Sequence, residues 1–507
     1  MPLPARPIAV AALMSTLALP AAAEITAAEV WADWQRLVTS YGPTLTVGSE
    51  ERTGDGLTLI DVAVEYDDPE EDLRVMATIP EIVFEERGDG TVEITVSSQY
   101  PVAVEGTDVE TGLPYSFNLT ARQPGLVTIA SGDEGATRYD YLGPEVTASI
   151  DTIVVDGEEV DFDLLVGLNG LKGSYEATDG VPGSFVSKTD AEEFTITAEG
   201  VDPDDSAASF AIAMNVSDIS SEGSGIVTAL AGFGDMSTVL SSGFDTSWTV
   251  SHGAAEYTFA GANGAELFNL TTTSESGSLA GEIGPGGLVY EGGNTGLDVT
   301  LSSSDMPFPQ VSFSMSEAMG RLAIPTLPAE EASDFGLMLR LAGLDIDEAL
   351  WNLFDPAGQI PRDPATLLID IAGQARWLVD VFDPEVTGEM GPDAVPGEIE
   401  SLTIEALELS VAGAEITGDG AFAFDNSGAG PFAPAPSPSG TLNLRLEGGN
   451  TLLDTLVAMG LLPEEQAMGA RMMLGLFARP GSGEDTLVST IEVGTDGSIS
   501  ANGQRIR

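Results

Sequence analysis

The chain has 507 residues, of which 81 are Asp or Glu and 18 are Lys or Arg, so its formal net charge is −63. Such a charge repels nucleic acid and anionic headgroups, and we therefore exclude nucleic-acid binding. The chain has no cysteine, which excludes disulfides and thiolate chemistry. Apolar residues make up 43% of the sequence, which is enough for a folded core and is not typical of a disordered chain.

The N-terminus has the pattern of a secretory signal peptide. Arg6 is the only charged residue before Glu24. Residues 8–20 form an apolar run, and residues 21–23 are alanines. We predict cleavage after Ala23 and a periplasmic location. No later apolar run approaches 18 residues, so we expect no transmembrane segment in the mature chain.

Residues 26–41 are predicted to form the first helix. Thr26 and Glu29 have the spacing of a capping box, and the apolar residues that follow recur with a helical period. These apolar residues are Val30, Trp31, Trp34, Leu37, Val38 and Tyr41. We interpret the two tryptophans as core anchors, because a helical stripe usually packs on its own domain.

Strands are predicted to dominate the region over residues 24–315, which we assign as a first, β-rich domain. Apolar and polar residues alternate at residues 60–66, 92–96, 160–164 and 210–216. Such alternation puts one set of side chains on an apolar face and the other in water. The sequence "GDG" at residues 88–90 separates two such runs and predicts a hairpin turn. This arrangement favours antiparallel meanders.

A helical block is predicted over residues 316–398, with helices at residues 333–344, 345–354 and 363–382. In the second of these helices the apolar residues recur at helical spacing. They are Ile346, Ala349, Leu350, Leu353 and Phe354. Because a helix of about ten residues is marginal by itself in water, we expect this stripe to cover the apolar face of the sheet.

The last predicted region, residues 399–507, combines strands and helices. Strand alternation spans residues 399–424, and a proline-rich connector follows at residues 429–440. Two helices are predicted at residues 450–461 and 463–478, before a closing strand at residues 487–493. The fold class is therefore α+β and mainly β, with a long curved antiparallel sheet and amphipathic helices that cover one face or end.

Residue types that carry catalysis or bind metal lack the expected partners and spacing. The single histidine, His252, has no G-x-S-x-G serine to serve as the base of a triad, and we interpret it as a packed or edge-exposed residue. Four stretches are candidates for calcium, but none has the EF-hand spacing, and a solvated surface explains them better. They are residues 67–72, 156–163, 202–205 and 292–300. We therefore predict no catalytic or cofactor-binding residue and leave a metal site, with calcium as its candidate, open.

Two stretches of the chain resemble one protein family. Residues 334–377 include "FDP" and "PRDP", and residues 440–506 include a closing "ANGQ". Both resemble the domain of unknown function 2125, a family of exported proteins of Gram-negative bacteria. The resemblance extends over most of the mature chain and implies a periplasmic or envelope-associated protein, without implying a reaction. The strand-rich texture is also similar to exported proteins whose long curved sheets handle lipids.

Two functions remain open on the sequence. The first is a non-catalytic periplasmic protein whose strand faces and helices enclose an apolar groove for a lipid-like ligand or an envelope partner. The competing interpretation is that these faces pack only on each other as a core. The second function is a carboxylate-based hydrolase acting on envelope polysaccharide, which needs two facing carboxylates.

The signal-peptide assignment predicts the N-terminus of the exported protein. N-terminal sequencing of the exported pool is expected to begin at Glu24, because the small residues before it suit signal peptidase. A sequence beginning at Met1 or Pro2 in that pool would contradict the assignment.

Overall fold

The computed structural model describes residues 25–40, 42–68, 72–108, 111–133, 135–178, 183–202, 205–228, 236–391, 394–428, 430, 432 and 435–507. Strands hold 65% of the residues and helices 12%, so the fold is mainly β, as predicted. The predicted signal peptide, residues 1–23, lies outside the described residues. Within them, no helix combines the length and the apolar character that crossing a bilayer requires.

Six helices and 27 strands are present in the described residues. The helices are α1 Ala27–Ser40, α2 Met236–Ser241, α3 Glu348–Phe354, α4 Pro384–Glu389, α5 Gly449–Ala458 and α6 Glu464–Phe477. The strands are β1 Thr44–Thr53, β2 Gly56–Asp68, β3 Leu73–Glu86, β4 Val92–Val96, β5 Gln99–Thr107, β6 Pro114–Arg122, β7 Val127–Asp133, β8 Ala136–Val155, β9 Glu158–Glu159, β10 Phe162–Thr178, β11 Gly183–Val201, β12 Ala208–Val227, β13 Asp245–His252, β14 Ala255–Asn263, β15 Glu266–Ser274, β16 Ser276–Gly284, β17 Gly287–Ser303, β18 Val311–Ile324, β19 Ser333–Ile346, β20 Ala365–Trp377, β21 Gly397–Val411, β22 Ala414–Asp425, β23 Ser437–Glu447, β24 Arg479–Pro480, β25 Thr486–Val493, β26 Ile499–Ala501 and β27 Gln504–Arg505.

All of these strands join one antiparallel sheet. Its order begins β1–β2–β3. Two strand pairs then connect β3 to β8: β5–β6 follows one half of β3, and β4–β7 follows the other half. The order continues β8–β10–β11–β12. Two further strand pairs, β14–β15 and β13–β16, then connect β12 to β17. From β17 to β23 the order follows the chain, and β25 pairs with β23. With strands about 4.8 Å apart, the distance across the sheet from β1 to β25 is roughly 86 Å.

A buried core forms where α1 covers the first strands. The predicted capping box is present: the Thr26 backbone N–H donates to Glu29 Oε2 at 2.8 Å, and the Glu29 backbone N–H donates to Thr26 Oγ1 at 3.3 Å. Trp31 is buried, and the Trp34 ring lies 5.5 Å from that of Phe84. The interpretation of the tryptophans as core anchors is therefore confirmed.

A line of residues with positive φ crosses the long strands. The values are 54° at Asp61, 62° at Gly170, 52° at Asp218, 56° at Gly296 and 67° at Gly343, and we call this line the seam. Between β10 and β11 the register is unchanged across the seam, because both strands carry one extra residue there, whereas between β19 and β20 it shifts next to Gly343.

The seam keeps apolar side chains on one face along the whole length of a strand. Side chains normally alternate between faces, so an added residue reverses the alternation. Leu59 and Val62, on either side of Asp61, are accordingly buried in the same core. The alternation predicted for residues 60–66 was wrong at Ile60, which pairs with Ser49 and lies on the other face.

Two of the three helices predicted in the block over residues 316–398 are wrong. Residues 333–344 lie in β19, and residues 363–382 contain β20, Ala365–Trp377. Only the middle helix exists, as α3, and the Asp347 side chain caps it by accepting from the Leu350 backbone N–H at 3.0 Å. Its stripe is not buried, since Leu353 is 61% exposed, so the expectation that it covers the sheet was also wrong.

The two predicted C-terminal helices are confirmed as α5 and α6, and the closing strand as β25. A carboxylate from the loop before β25 holds the start of α5. Asp485 accepts from the backbone N–H groups of Asn450 and Thr451 at 3.2 and 2.8 Å. Although burial acts to raise it, the hydrogen bonds from Thr451 and Asn450 lower the pKa of Asp485 below its usual range.

The seam predicts that Gly343→Ala is costly. A Cβ there would lie 2.5 Å from Ser316 Oγ, which is held by donating to the Ala342 carbonyl at 2.9 Å. We expect a loss of about 2 kcal/mol in the free energy of unfolding, from the positive φ and the steric contact together. The matched control is Gly264→Ala, whose φ is 61° but whose Cβ would meet nothing within 4 Å. It should cost only about 1 kcal/mol, and equal losses in urea denaturation would refute the steric argument.

Candidate apolar binding face

One row of directly paired residues runs across the sheet from β10 to β25 without a charged side chain. We call it the central row. It consists of Tyr175, Ser187, Gly223, Trp248, Gly281, Tyr290, Leu322, Leu337, Ile371, Ile404, Gly420, Leu442 and Ile491. Directly paired residues of antiparallel strands point to the same face, so these side chains lie together.

Three further uncharged rows lie on the same face as the central row. The first two rows given below lie on the same side of the seam as the central row, and the third lies on the other side of the seam. They are Val250, Leu279, Gly292, Gly320, Leu339, Ile369, Leu407, Gly418 and Leu444; Phe335, Gly373, Leu402, Phe422, Gly440 and Val493; and Val166, Ile196, Met214, Tyr257, Thr272, Val299 and Phe313. We call the four rows together the apolar face.

The opposite face of the same strands is charged. Lys188 lies 2.7 Å from Glu222, and Arg340 lies 2.6 Å from Glu317. Each of these residues is adjacent in sequence to a residue on the apolar side. The strands are therefore amphipathic, with the charges of this acidic chain kept on one side.

The apolar face is partly exposed, and its most exposed side chains lie in the middle of the central row. Tyr290 is 48% exposed and Leu337 47%. The chain has 29350 Å² of accessible surface, whereas a compact chain of 52.5 kDa exposes about 17,600 Å². Among the described residues, the strand faces under α1 form a buried core, whereas this face is only partly covered.

Helices lie at both ends of the apolar face. At one end, Tyr175 pairs with Tyr139, whose ring is 6.5 Å from Trp34 of α1. At the other end, Ser489 pairs with Leu444 of the apolar face and donates to the Phe477 carbonyl at the end of α6 at 2.6 Å. The prediction that helices cover an end of the sheet agrees with both contacts.

Several rings on this side of the sheet lie flat across a paired glycine. A Cβ added at Gly281 would lie 2.6 Å from the Trp248 ring, which therefore occupies the space that a side chain would fill. The same arrangement joins Tyr115 to Gly106, Tyr141 to Gly173, His252 to Gly277 and Phe335 to Gly373. A ring in this position projects little from the sheet, so the apolar face stays smooth.

The sequence-predicted chemical sites do not converge in the structure. His252 ends β13 on the side of Trp248, and its Nδ1 lies 2.9 Å from the Gly253 carbonyl. The described residues contain no group of three acidic, histidine or cysteine side chains placed to hold a metal. Part of the stretches 67–72 and 202–205 lies outside those residues. The stretch 292–300 is the seam of β17, where Gly296 serves a backbone role.

A pocket of about 400 Å³ at the ends of β10, β11 and β12 contains three carboxylates, those of Asp161, Asp163 and Glu199. Asp163 and Glu199 are direct cross-strand partners on the charged face. Both are exposed, so the pocket lacks the apolar enclosure by which glycosidases differentiate an acid from a base. This geometry does not favour the hydrolase.

The "FDP" and "PRDP" motifs meet in a turn after α3. Asp355 is fully buried and accepts from the backbone N–H groups of Gln359 and Ile360 at 2.9 and 2.8 Å. The Gln359 N–H holds the pKa of Asp355 below its usual range, against the opposing effect of burial. Arg362 donates to the Asp355 carbonyl at 3.2 Å and lies 5.6 Å from the centre of the Trp351 ring. The motifs therefore build structure and do not form a reactive site.

These motifs fall within a segment that matches a known family model. Residues 293–502 match the family described as an uncharacterized protein conserved in bacteria, DUF2125. This confirms the resemblance predicted from the sequence over that segment. No curated protein matches the chain. The DUF2125 segment extends from β17 to β26 and so contains the C-terminal part of the apolar face.

The DUF2125 turn predicts a stability effect that depends on pH. Asp355→Ala leaves two buried N–H groups without an acceptor and should lower the free energy of unfolding by about 2–4 kcal/mol at neutral pH. Because folding lowers the pKa of Asp355, its contribution is complete above the unfolded pKa of about 3.9 and is lost as pH falls through the folded pKa. Urea denaturation at pH 6 and pH 3 should show the difference from wild type shrinking at the lower pH. Asp363→Ala, at an exposed site, should stay within about 0.5 kcal/mol, and a similar loss there would refute the argument.

Proposed function

We propose that this chain is a non-catalytic periplasmic protein that binds the hydrocarbon chains of a lipid-like ligand on its apolar face. The observation that carries the proposal is the set of uncharged rows of partly exposed side chains that continue across the sheet. A contiguous apolar surface of this size is unusual on a soluble monomer and is typical of an interaction site.

The dimensions of the apolar face favour a chain-like ligand. The central row crosses from β10 to β25 over roughly 58 Å, at about 4.8 Å per strand. The hydrocarbon thickness of one bilayer leaflet is about 15 Å, so the row is long enough for several acyl chains placed end to end. The smooth surface left by the flat rings suits a chain that lies along the sheet.

The periplasmic location rests on the sequence. The apolar run at residues 8–20 and the alanines at 21–23 support export, and the absence of cysteine is compatible with an oxidising compartment. An envelope lipid is a ligand that such a protein would meet there.

The proposal predicts that two adjacent residues of β19 differ in their effect on binding. Leu337 lies in the central row, whereas Met338 pairs with Arg321 and Asp370 on the charged face. Leu337→Gln should weaken binding of a hexadecyl chain that carries an environment-sensitive fluorophore by about fivefold, because it removes apolar contact. Met338→Gln should leave the affinity unchanged.

The measurement is a fluorescence titration of the full mature chain. Equal affinities of the two variants for the probe would mean that the hexadecyl chain does not lie on the apolar face. If the wild-type protein shows no saturable binding of the fluorescent hexadecyl chain, the proposal as a whole is overturned.

A further inference from the structure

Two polar side chains stand together on the otherwise apolar side of the sheet. His252 of β13 pairs with Gly277 of β16, and Gly277 pairs with Asn294 of β17. All three therefore point to the side of Trp248 and Leu279, next to the seam. His252 is also the only histidine of the chain.

The polar atoms of these two side chains converge above Gly277. The position that a Cβ on Gly277 would take is 2.2 Å from His252 Nε2 and 2.4 Å from Asn294 Oδ1. The absence of a side chain on Gly277 thus lets both groups reach the same point. Among the described residues no hydrogen bond joins them to each other, and both are half-buried.

The backbone fixes the role of each imidazole nitrogen. Nδ1 lies 2.9 Å from the Gly253 carbonyl, which can only accept, so Nδ1 carries the proton in the neutral ring. Nε2 is then an acceptor that faces the apolar side. The Asn294 atom beside it is Oδ1, which is also an acceptor.

We propose that His252 and Asn294 bind two neighbouring hydroxyl groups of an uncharged amphiphile whose hydrocarbon chain lies on the adjacent apolar rows. The proposal rests on the proposed function and adds the class of headgroup. One of these hydroxyls donates to Nε2 and the other donates to Asn294 Oδ1, so both protein acceptors are satisfied. The net charge of −63 disfavours an anionic headgroup.

The test compares two ligands with the same chain. Monopalmitoylglycerol carries two hydroxyls and methyl palmitate carries none. Each is used to displace the fluorescent hexadecyl chain from the full mature protein. The variants are His252→Phe, which keeps a ring over Gly277, and Asn294→Leu. The control is Thr271→Val, which removes a hydroxyl from the opposite face of the neighbouring strand β15.

We expect each of the two variants to weaken binding of monopalmitoylglycerol about tenfold, the effect of losing one or two hydrogen bonds. Methyl palmitate should bind all proteins equally, and Thr271→Val should leave the binding of both ligands unchanged. Circular dichroism and urea denaturation of each variant check that the fold is retained.

The possible failures are distinguishable. If both ligands displace the probe but the variants do not discriminate between them, the headgroup assignment is wrong and the apolar face still binds chains. If neither ligand nor the probe binds to the wild-type protein, the proposed function fails and this inference fails with it.

Discussion

Backbone pairing between neighbouring antiparallel strands is the interaction on which the other features of this chain depend. A globular protein of this length normally buries its apolar residues between layers. In the part of the chain that the structure describes, the buried cluster lies between α1 and the first strands. The remaining strands rely on the ladder of hydrogen bonds and on cross-strand contacts within a single layer. This explains how the chain stays ordered while much of one face is only half-buried.

A single layer has a strict requirement: every strand must present its apolar residues on the same side. Strands of up to 20 residues, such as β8 and β12, meet it by means of the seam. The added residue in each strand lets the apolar pattern continue after a step of three, as from Leu168 to Leu171 around Gly170. Without the added residue, the apolar side chains of the two halves of a strand would lie on opposite faces of the sheet.

The sequence predicted the class of the fold, α1 with its capping box, and the C-terminal helices, because each depends on local signals. It failed at β19 and β20. Leucine and methionine have high helix propensity, and the pairing partners that override this propensity lie on other strands. The three-residue steps around Asp61 and Gly170 were visible signals of the seam. The apolar face itself was beyond reach, since which residues share a row depends on register across many strands.

The ladder also has a mechanical consequence. The first strand and the last strands lie at opposite edges of the sheet, and each strand is bonded only to its neighbours. Tension applied between the two ends of the chain would load the strand pairs one after another, since nearest-neighbour arrays lack a shared core that must break at once. Under such tension the molecule would extend by peeling in steps, with each step releasing one strand length of slack.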